Sequence, residues 1–189
     1  IADKVKATSV EAIRQLEKGG IAVYMLTGDN QKTASAVAKQ LGIAHFRAAA
    51  MPEDKAKFVQ ELQAQGKVVA MVGDGINDSQ ALAQADVSIA MGHGSDIAMD
   101  VAKMTIVSSD LLKLPLAIGI SRQTVRTIRQ NLFWAFVYNV IGIPIAAGIL
   151  FPVNGFLLNP MIAGGAMALS SVSVVSNSLR LKALKLRSK

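Results

Sequence analysis

Fifty consecutive residues, Gln130 to Leu179, contain no Asp, Glu, Lys, Arg or His. A soluble domain of this size has no need of such a run. About 20 apolar residues cross the hydrocarbon core of a bilayer, so the run has room for two spans. Phe151-Pro152-Val153-Asn154-Gly155 supplies turn chemistry between them. The expectation is therefore a transmembrane helix over 131–151, an extracytoplasmic turn over 152–159 and a second transmembrane helix over 160–179. Tyr138, Asn139, Ser170 and Ser171 interrupt the apolar stretches near mid-depth. Polar groups in hydrocarbon are costly unless they serve a purpose.

A formal charge of +7 over 189 residues raises two readings, a nucleic-acid binder or a membrane protein. The distribution decides between them. All 13 acidic residues lie at or before Asp110, and the first 120 residues hold 12 Lys and Arg, so that part is nearly neutral. The excess flanks the apolar run: Arg122, Arg126 and Arg129 precede it, and Arg180, Lys182, Lys185, Arg187 and Lys189 follow. The positive-inside rule then places both ends in the cytoplasm. Residues 111–130 read as a linker helix to the membrane and 180–189 as a basic cytoplasmic tail; nucleic acid is not an expected partner. With no Cys there is no disulfide framework. Ile1-Ala2-Asp3-Lys4 has neither an initiator Met nor a signal-like apolar region, and the chain reads as a piece whose beginning is missing.

Between Ile21 and Val107, short β-branched runs alternate with helical patterns, which predicts βαβ units and a mainly parallel sheet. Expected strands are Ile21 to Leu26, Ala44 to Ala48, Val68 to Val72, Val87 to Ala90 and Met104 to Val107. Expected helices are Gln31 to Leu41, Pro52 to Gln65, Asn77 to Ala85 and Asp96 to Ala102. Ser109 and Asp110 are candidate caps for the linker helix.

Ligands of open parallel sheets gather at the carboxyl ends of the strands. One loop there, Met25-Leu26-Thr27-Gly28-Asp29-Asn30, offers a hydroxyl and backbone amides that suit phosphate oxygens at a helix start. The same letters also serve ordinary turn and N-cap chemistry. In the other, Met71-Val72-Gly73-Asp74-Gly75-Ile76-Asn77-Asp78, Asp74 and Asp78 bracket a glycine-rich bend. Two hard oxygen ligands so placed suit Mg²⁺ shared with phosphate, against the plainer reading of a tight strand-to-helix turn capped by Asn77 or Asp78. Lys55, after Met51-Pro52-Glu53-Asp54, is either a phosphate-neutralising cation or a surface lysine.

Thr27-Gly28-Asp29, Pro52 to Lys55 and Gly73 to Asp78 resemble, in order and spacing, the phosphorylation-domain motifs of P-type ATPases. The resemblance implies an α/β fold, part of a haloacid-dehalogenase-like, Rossmann-type phosphorylation domain over 1–110, followed by the transmembrane hairpin. It implies that Thr27 and Lys55 contact an aspartyl phosphate, that Asp74 binds Mg²⁺ and that Asp78 supports the same site. Gly28, Asp29 and Asn77 belong to the same motifs. The nucleophilic Asp of the family's Asp-Lys-Thr-Gly-Thr motif is expected upstream of Ile1. The same holds for the actuator domain and for the nucleotide-binding domain that holds most of the ATP, so this chain alone is expected not to turn over ATP. Asp3-Lys4-Val5-Lys6 departs from the family's Asp-Pro-x-Lys pattern, and a hinge role for Asp3 does not carry over.

In the apolar half, Met167, Ser170 and Ser171 are spaced i, i+3, i+4 and share a helix face. A thioether is a soft ligand suited to Cu(I), though most Met residues in apolar helices only pack, and serines there also bond backbone or a neighbouring helix. Ala163-Gly164-Gly165-Ala166 permits close helix approach, and Pro144 is expected to kink the first span. Phe136-Val137-Tyr138-Asn139 and Met167-Ala168-Leu169-Ser170-Ser171 resemble the last two membrane-helix signatures of copper(I)-transporting P-type ATPases. That resemblance implies a Cu⁺ site formed by Tyr138, Asn139, Met167, Ser170 and Ser171. The Cys-Pro-Cys ligands are expected on an earlier, missing helix. It further implies an export pump for copper(I), with silver(I) a second cargo, in a bacterial cell membrane, with membrane lipid and a copper chaperone as partners. The alternatives are a membrane-anchored haloacid-dehalogenase-like phosphatase and a non-enzymatic membrane partner protein. Divalent-metal branches of the family usually carry charge in these helices, and this run has none.

Overall fold

The structure, a computed structural model, describes residues 5–74, 76–92, 96–149, 151–155 and 160–183. Gly75 of the Asp74 loop, Asp3, residues 156–159 of the expected turn and residues 184–189 of the basic tail lie outside the described residues. The chain divides into two compact units, Ile1–Pro115 and Leu116–Lys189.

The first unit opens with α1 (Ala7–Lys18), where Ser9, Ala12, Ile13 and Leu16 form one buried stripe. The sequence reading placed no element before Ile21, although this i, i+3, i+4, i+7 spacing carries the signal. Then come β1 (Tyr24–Leu26), α2 (Gln31–Leu41), β2 (His45–Arg47), α3 (Pro52–Ala64) and β3 (Ala70–Gly73). A single 3₁₀ turn, Ile76–Asp78, leads into α4 (Ser79–Gln84), followed by β4 (Val87–Met91), α5 (Asp96–Val101) and β5 (Met104–Ile106). The Asn30 side chain accepts the Thr33 N–H at 3.0 Å to start α2, and Gly42 ends it in the left-handed region at φ 76°, where a Cβ would be strained. Pro52 occupies the first turn of α3, and the Asp54 carboxylate accepts the Met51 N–H at 3.1 Å, an acid at the positive end of a helix.

The single parallel sheet expected from sequence is corrected to two. β1 pairs in parallel with β2, in register Tyr24 to His45 and Leu26 to Arg47. β3, β4 and β5 form a separate parallel sheet, with Gly73 opposite Ala90 and Met91 opposite Ile106. Helix α3 packs against both. Its Phe58 meets Tyr24 of β1 edge-on at 5.6 Å, while its buried Val59 lies in a cluster with Ala81, Ala85, Val69 and Met71. A second cluster, Ile13, Ala38 and Ile43 with Val23, Met25, Leu41 and Phe46, joins α1 and α2 to the β1–β2 pair. Burying such side chains at about 25 cal/mol per Å² is the main stabilising term, and these two clusters fix the strand ends that carry the motif loops.

The second unit consists mainly of α6 (Lys113–Ala146), the one-turn α7 (Phe151–Asn154) and α8 (Pro160–Ala183). Helix α6 runs unbroken through what the sequence divides into linker and span, and Pro144 lies inside it. Asp110 precedes it, its carboxylate accepting the Leu112 N–H at 3.1 Å. The expectation of two membrane-crossing helices finds no support among the described residues, where no helix is long and apolar enough to cross a membrane. In α6 the apolar stretch begins only after Arg129, Gln130 and Asn131 and is interrupted by Tyr138 and Asn139, and α8 carries five serines and Asn177 between Ser170 and Ser178. Both helices nevertheless leave large apolar side chains exposed, among them Phe133, Phe136, Ile141, Leu169 and Val172.

Candidate functional site

Two loops at strand carboxyl ends form the site in the first unit, and each is built by local chemistry. After β1 the chain turns sharply. The Thr27 hydroxyl donates to an Asp29 carboxylate oxygen at 2.9 Å and accepts the Asp29 N–H at 3.1 Å. The loop is sewn to the stretch after β2 by Ala50 N–H to the Thr27 carbonyl at 2.9 Å and Ala49 N–H to the Asp29 carbonyl at 2.7 Å. Thr27, Gly28 and Asp29 thus occupy one fixed turn, directly before α2.

After β3 the geometry is tighter. The Lys55 ammonium, on the first turn of α3, donates to Asp78 Oδ1 at 2.8 Å, and the two side chains are only 11 % and 15 % exposed. A Cβ on Gly73 would stand 2.7 Å from both Cβ and Oδ2 of Asp78, so only glycine admits this carboxylate against the strand end. Asp74 follows, exposed, at the tip of β3, and Asn77 is exposed in the 3₁₀ turn. A nearly buried ion pair adds little net stability compared with apolar packing. Its value lies in holding a cation ready at a chosen point, here at the end of the loop that follows β3.

Among the described residues no three His, Cys, Asp or Glu side chains cluster as a metal cage. Mg²⁺ takes one or two protein carboxylates and fills its remaining positions with water and phosphate oxygens. The exposed Asp74 carboxylate at the tip of β3 is the chemistry such an ion would take. Asp78, with one oxygen on Lys55 and the other against Gly73, is placed to orient the lysine. No hydrogen bond among the described residues joins the Thr27 loop to the Lys55–Asp78 pair.

In the second unit, Tyr138 and Asn139 lie on α6, and Met167, Ser170 and Ser171 on α8. The Asn139 amide donates to the Ala135 carbonyl at 3.0 Å and the Ser171 hydroxyl to the Met167 carbonyl at 3.2 Å, each within its own helix. Met167 is 71 % exposed and Tyr138 39 %. The polar link between the helices falls elsewhere, on residues the sequence reading passed over. Asn131 donates to the Ser178 hydroxyl at 2.9 Å, and Asn177 donates to Asn131 Oδ1 at 2.8 Å.

The haloacid dehalogenase-like hydrolase family model matches residues 1–86, which contain both phosphate-loop motifs and Lys55. The relatives extend much further along the chain. The probable copper-transporting ATPase PacS of Synechocystis is 57 % identical over 96 % of this chain. The silver exporting P-type ATPase of Salmonella typhimurium is 54 % identical over 98 % of it. Over nearly its whole length the chain is thus similar to copper- and silver-transporting P-type ATPases. It spans about a quarter of the length of these relatives, 24 % and 23 %. A zinc-transporting PIB-type ATPase in its E2.Pi state aligns over 98 % of this chain and 28 % of its own, with TM-score 0.82 and 36 % identity. The first unit carries a haloacid-dehalogenase-like fold of mixed strands and helices.

Proposed function

We propose that this chain is the C-terminal part of an ATP-driven exporter of copper(I), with silver(I) as a second cargo, working through an aspartyl-phosphate intermediate. The observation that carries the phosphoryl half is the Lys55–Asp78 pair at 2.8 Å, its carboxylate in the segment that follows Asp74 at the end of β3. β1 and β3 are the sheet edges that bear the two motif loops, and α3 packs on both. An edge strand presents unpaired backbone groups. A parallel strand paired between β1 and β3 would bring its own carboxyl-terminal residue between Thr27 and Lys55. The nucleophilic aspartate of an upstream segment belongs there.

The chemistry follows from those placements. An aspartate oxygen attacks the γ-phosphorus of ATP, the bond to the β-phosphate oxygen breaks and ADP leaves; water later cleaves the acyl phosphate, releasing inorganic phosphate and regenerating the carboxylate. Lys55, oriented by Asp78, offsets charge on the transferring phosphoryl oxygens. Asp74 would hold Mg²⁺, which when bound would supply Lewis-acid neutralisation of phosphate charge. The Thr27 hydroxyl turns from Asp29 to donate to a phosphoryl oxygen, with Gly28 and Asp29 keeping the turn and Asn77 supporting the Asp74 loop.

The cargo half rests on α6 and α8. Their exposed apolar side chains need apolar surroundings, and polar residues within membrane helices face a bundle interior. We therefore assign the two helices to a multi-helix bundle in a bacterial cell membrane. Lipid surrounds it there, earlier membrane segments contribute the remaining ligands, and a copper chaperone delivers the ion. Tyr138, Asn139, Met167, Ser170 and Ser171 form this chain's share of the ion site. The thioether and the lack of charge favour a monovalent soft ion. A merely anchored phosphatase is not favoured, because the pump relatives match the helical unit as well as the phosphate loops.

The test is the phosphoenzyme. Membranes carrying the complete pump should form an acid-stable, hydroxylamine-sensitive phosphoprotein from ATP in the presence of copper(I). Asp74→Ala should reduce phosphorylation from ATP and from inorganic phosphate alike, by at least about a hundredfold if the metal contributes several kcal/mol. Copper-independent turnover without a phosphoenzyme would refute the assignment.

A further inference from the structure

Among the described residues, two side-chain bonds between α6 and α8 are made by residues outside the candidate ion site. Asn131 of α6 is the hub: its amide donates to Ser178 Oγ at 2.9 Å, and its carbonyl oxygen accepts the Asn177 amide at 2.8 Å. Ser178 in turn donates to the Val174 carbonyl at 2.8 Å, so its hydroxyl is held from both sides. Both functional ends of the Asn131 amide are thereby engaged, which fixes its orientation.

Sequence spacing ties this link to the ion site. Asn131 and Tyr138 stand at i and i+7 on α6, while Ser171 and Ser178, and Ser170 and Asn177, stand at i and i+7 on α8. Two helical turns return to within about 20° of the same face and advance about 10 Å. A link that turns Asn131 toward Asn177 and Ser178 therefore also turns Tyr138 toward the face bearing Ser170 and Ser171. A one-residue rotation of either helix, about 100°, would break both bonds and carry the ligand face away from the seam.

We propose that Asn131, Asn177 and Ser178 are positioning residues, a rotational clamp that sets the facing of α6 and α8 and so prepares the soft-metal ligands one heptad away. The clamp touches no ion; it acts through Tyr138, Ser170 and Ser171. Its consequence for copper rests on the ion-site reading above, whereas its existence does not.

The experiment separates these two parts. The chain has no native Cys, so Ala135→Cys with Val174→Cys, one turn from the clamp on each helix, gives an isolated cross-linking pair if the same substitutions are made in an otherwise cysteine-free complete pump in vesicles. Mild oxidation should cross-link this pair, and adding Asn131→Leu, close in volume but without the amide, should lower the cross-linked fraction severalfold. The exchange Asn131→Ser with Ser178→Asn should recover it. Unchanged cross-linking in the Leu variant, or no recovery in the exchange, would overturn the clamp. In the pump with its own cysteines, copper(I) affinity measured by chelator competition should fall about tenfold for Asn131→Leu, as for other partners that orient metal ligands. Phosphorylation by inorganic phosphate should persist. If Asn131→Leu alters cross-linking while neither it nor Met167→Ala alters copper affinity, the ion-site reading fails and the clamp stands as a packing device only, which overturns the positioning role.

Discussion

Asp78 shows how much one residue's surroundings decide. By its letters it is a carboxylate in an acidic, glycine-rich loop, and as legible there as Asp74. The structure separates the two: Asp74 is exposed at the strand tip, whereas Asp78 spends one oxygen on Lys55 and presses the other against Gly73. Sequence spacing could not reveal this, since Lys55 and Asp78 come from different helical elements separated by β3. A tight contact of this kind makes a sharp prediction. Gly73→Ala would place a methyl group 2.7 Å from Asp78 Cβ, and overpacking of this sort costs about 1–3 kcal/mol. Urea denaturation of the chain should report a loss in that range together with weaker phosphorylation in the complete pump. Wild-type stability with full phosphorylation would show that the contact relaxes at no cost. Asn131 was illegible for the opposite reason. A lone Asn after three arginines looks like an ordinary helix-surface residue, and only its partner helix gives it meaning.

At the level of elements, periodicity served well wherever a helix buries one stripe. α2 begins and ends at the expected residues, because an Asn cap and a left-handed glycine bound it. Strand positions were legible too, but their grouping was not, since hydrogen-bond partners across a sheet leave no mark in a single sequence. The expected linker and the first part of the expected first span lie on one continuous helix, α6, with no break at residue 130. The turn from α4 into β4 supplies a prediction about acid. The Asp86 carboxylate accepts the Val69 N–H at 2.8 Å, and that bond, aided by the Gln63 side chain, holds its pKa below the ordinary carboxylate range. A lowered folded value means that the stabilisation is present above the unfolded value and lost as pH falls through the folded one. Asp86→Asn should therefore lower the urea midpoint near neutral pH, and the gap from wild type should close below about pH 4. A gap independent of pH would assign the effect to the amide's shape and not to its missing charge.

For the whole molecule, the two units pose different problems for a reader of sequence. The loops after β1 and β3 were legible as strand-end turns because their construction is local: a strand end, a glycine and a carboxylate within a few residues. The helical unit was legible in composition. Fifty uncharged residues suggested two spans, and the helices that fill that stretch carry Asn, Ser and Gln among their apolar residues. Those same polar residues supply the clamp and the proposed ligands. A helix made for a bundle that handles an ion cannot also be uniformly apolar. The account stands or falls on whether Met167 serves the cargo while Asp74 and Lys55 serve the phosphate. The direct measurement is phosphorylation of the complete pump carrying Met167→Ala, driven in turn by ATP with copper(I) and by inorganic phosphate without it. Copper-dependent phosphorylation from ATP should fall at least about tenfold, the loss typical of a weakened metal site, while phosphorylation by inorganic phosphate stays near wild type. Equal loss in both directions, or no loss in either, would contradict a division of labour between the two units.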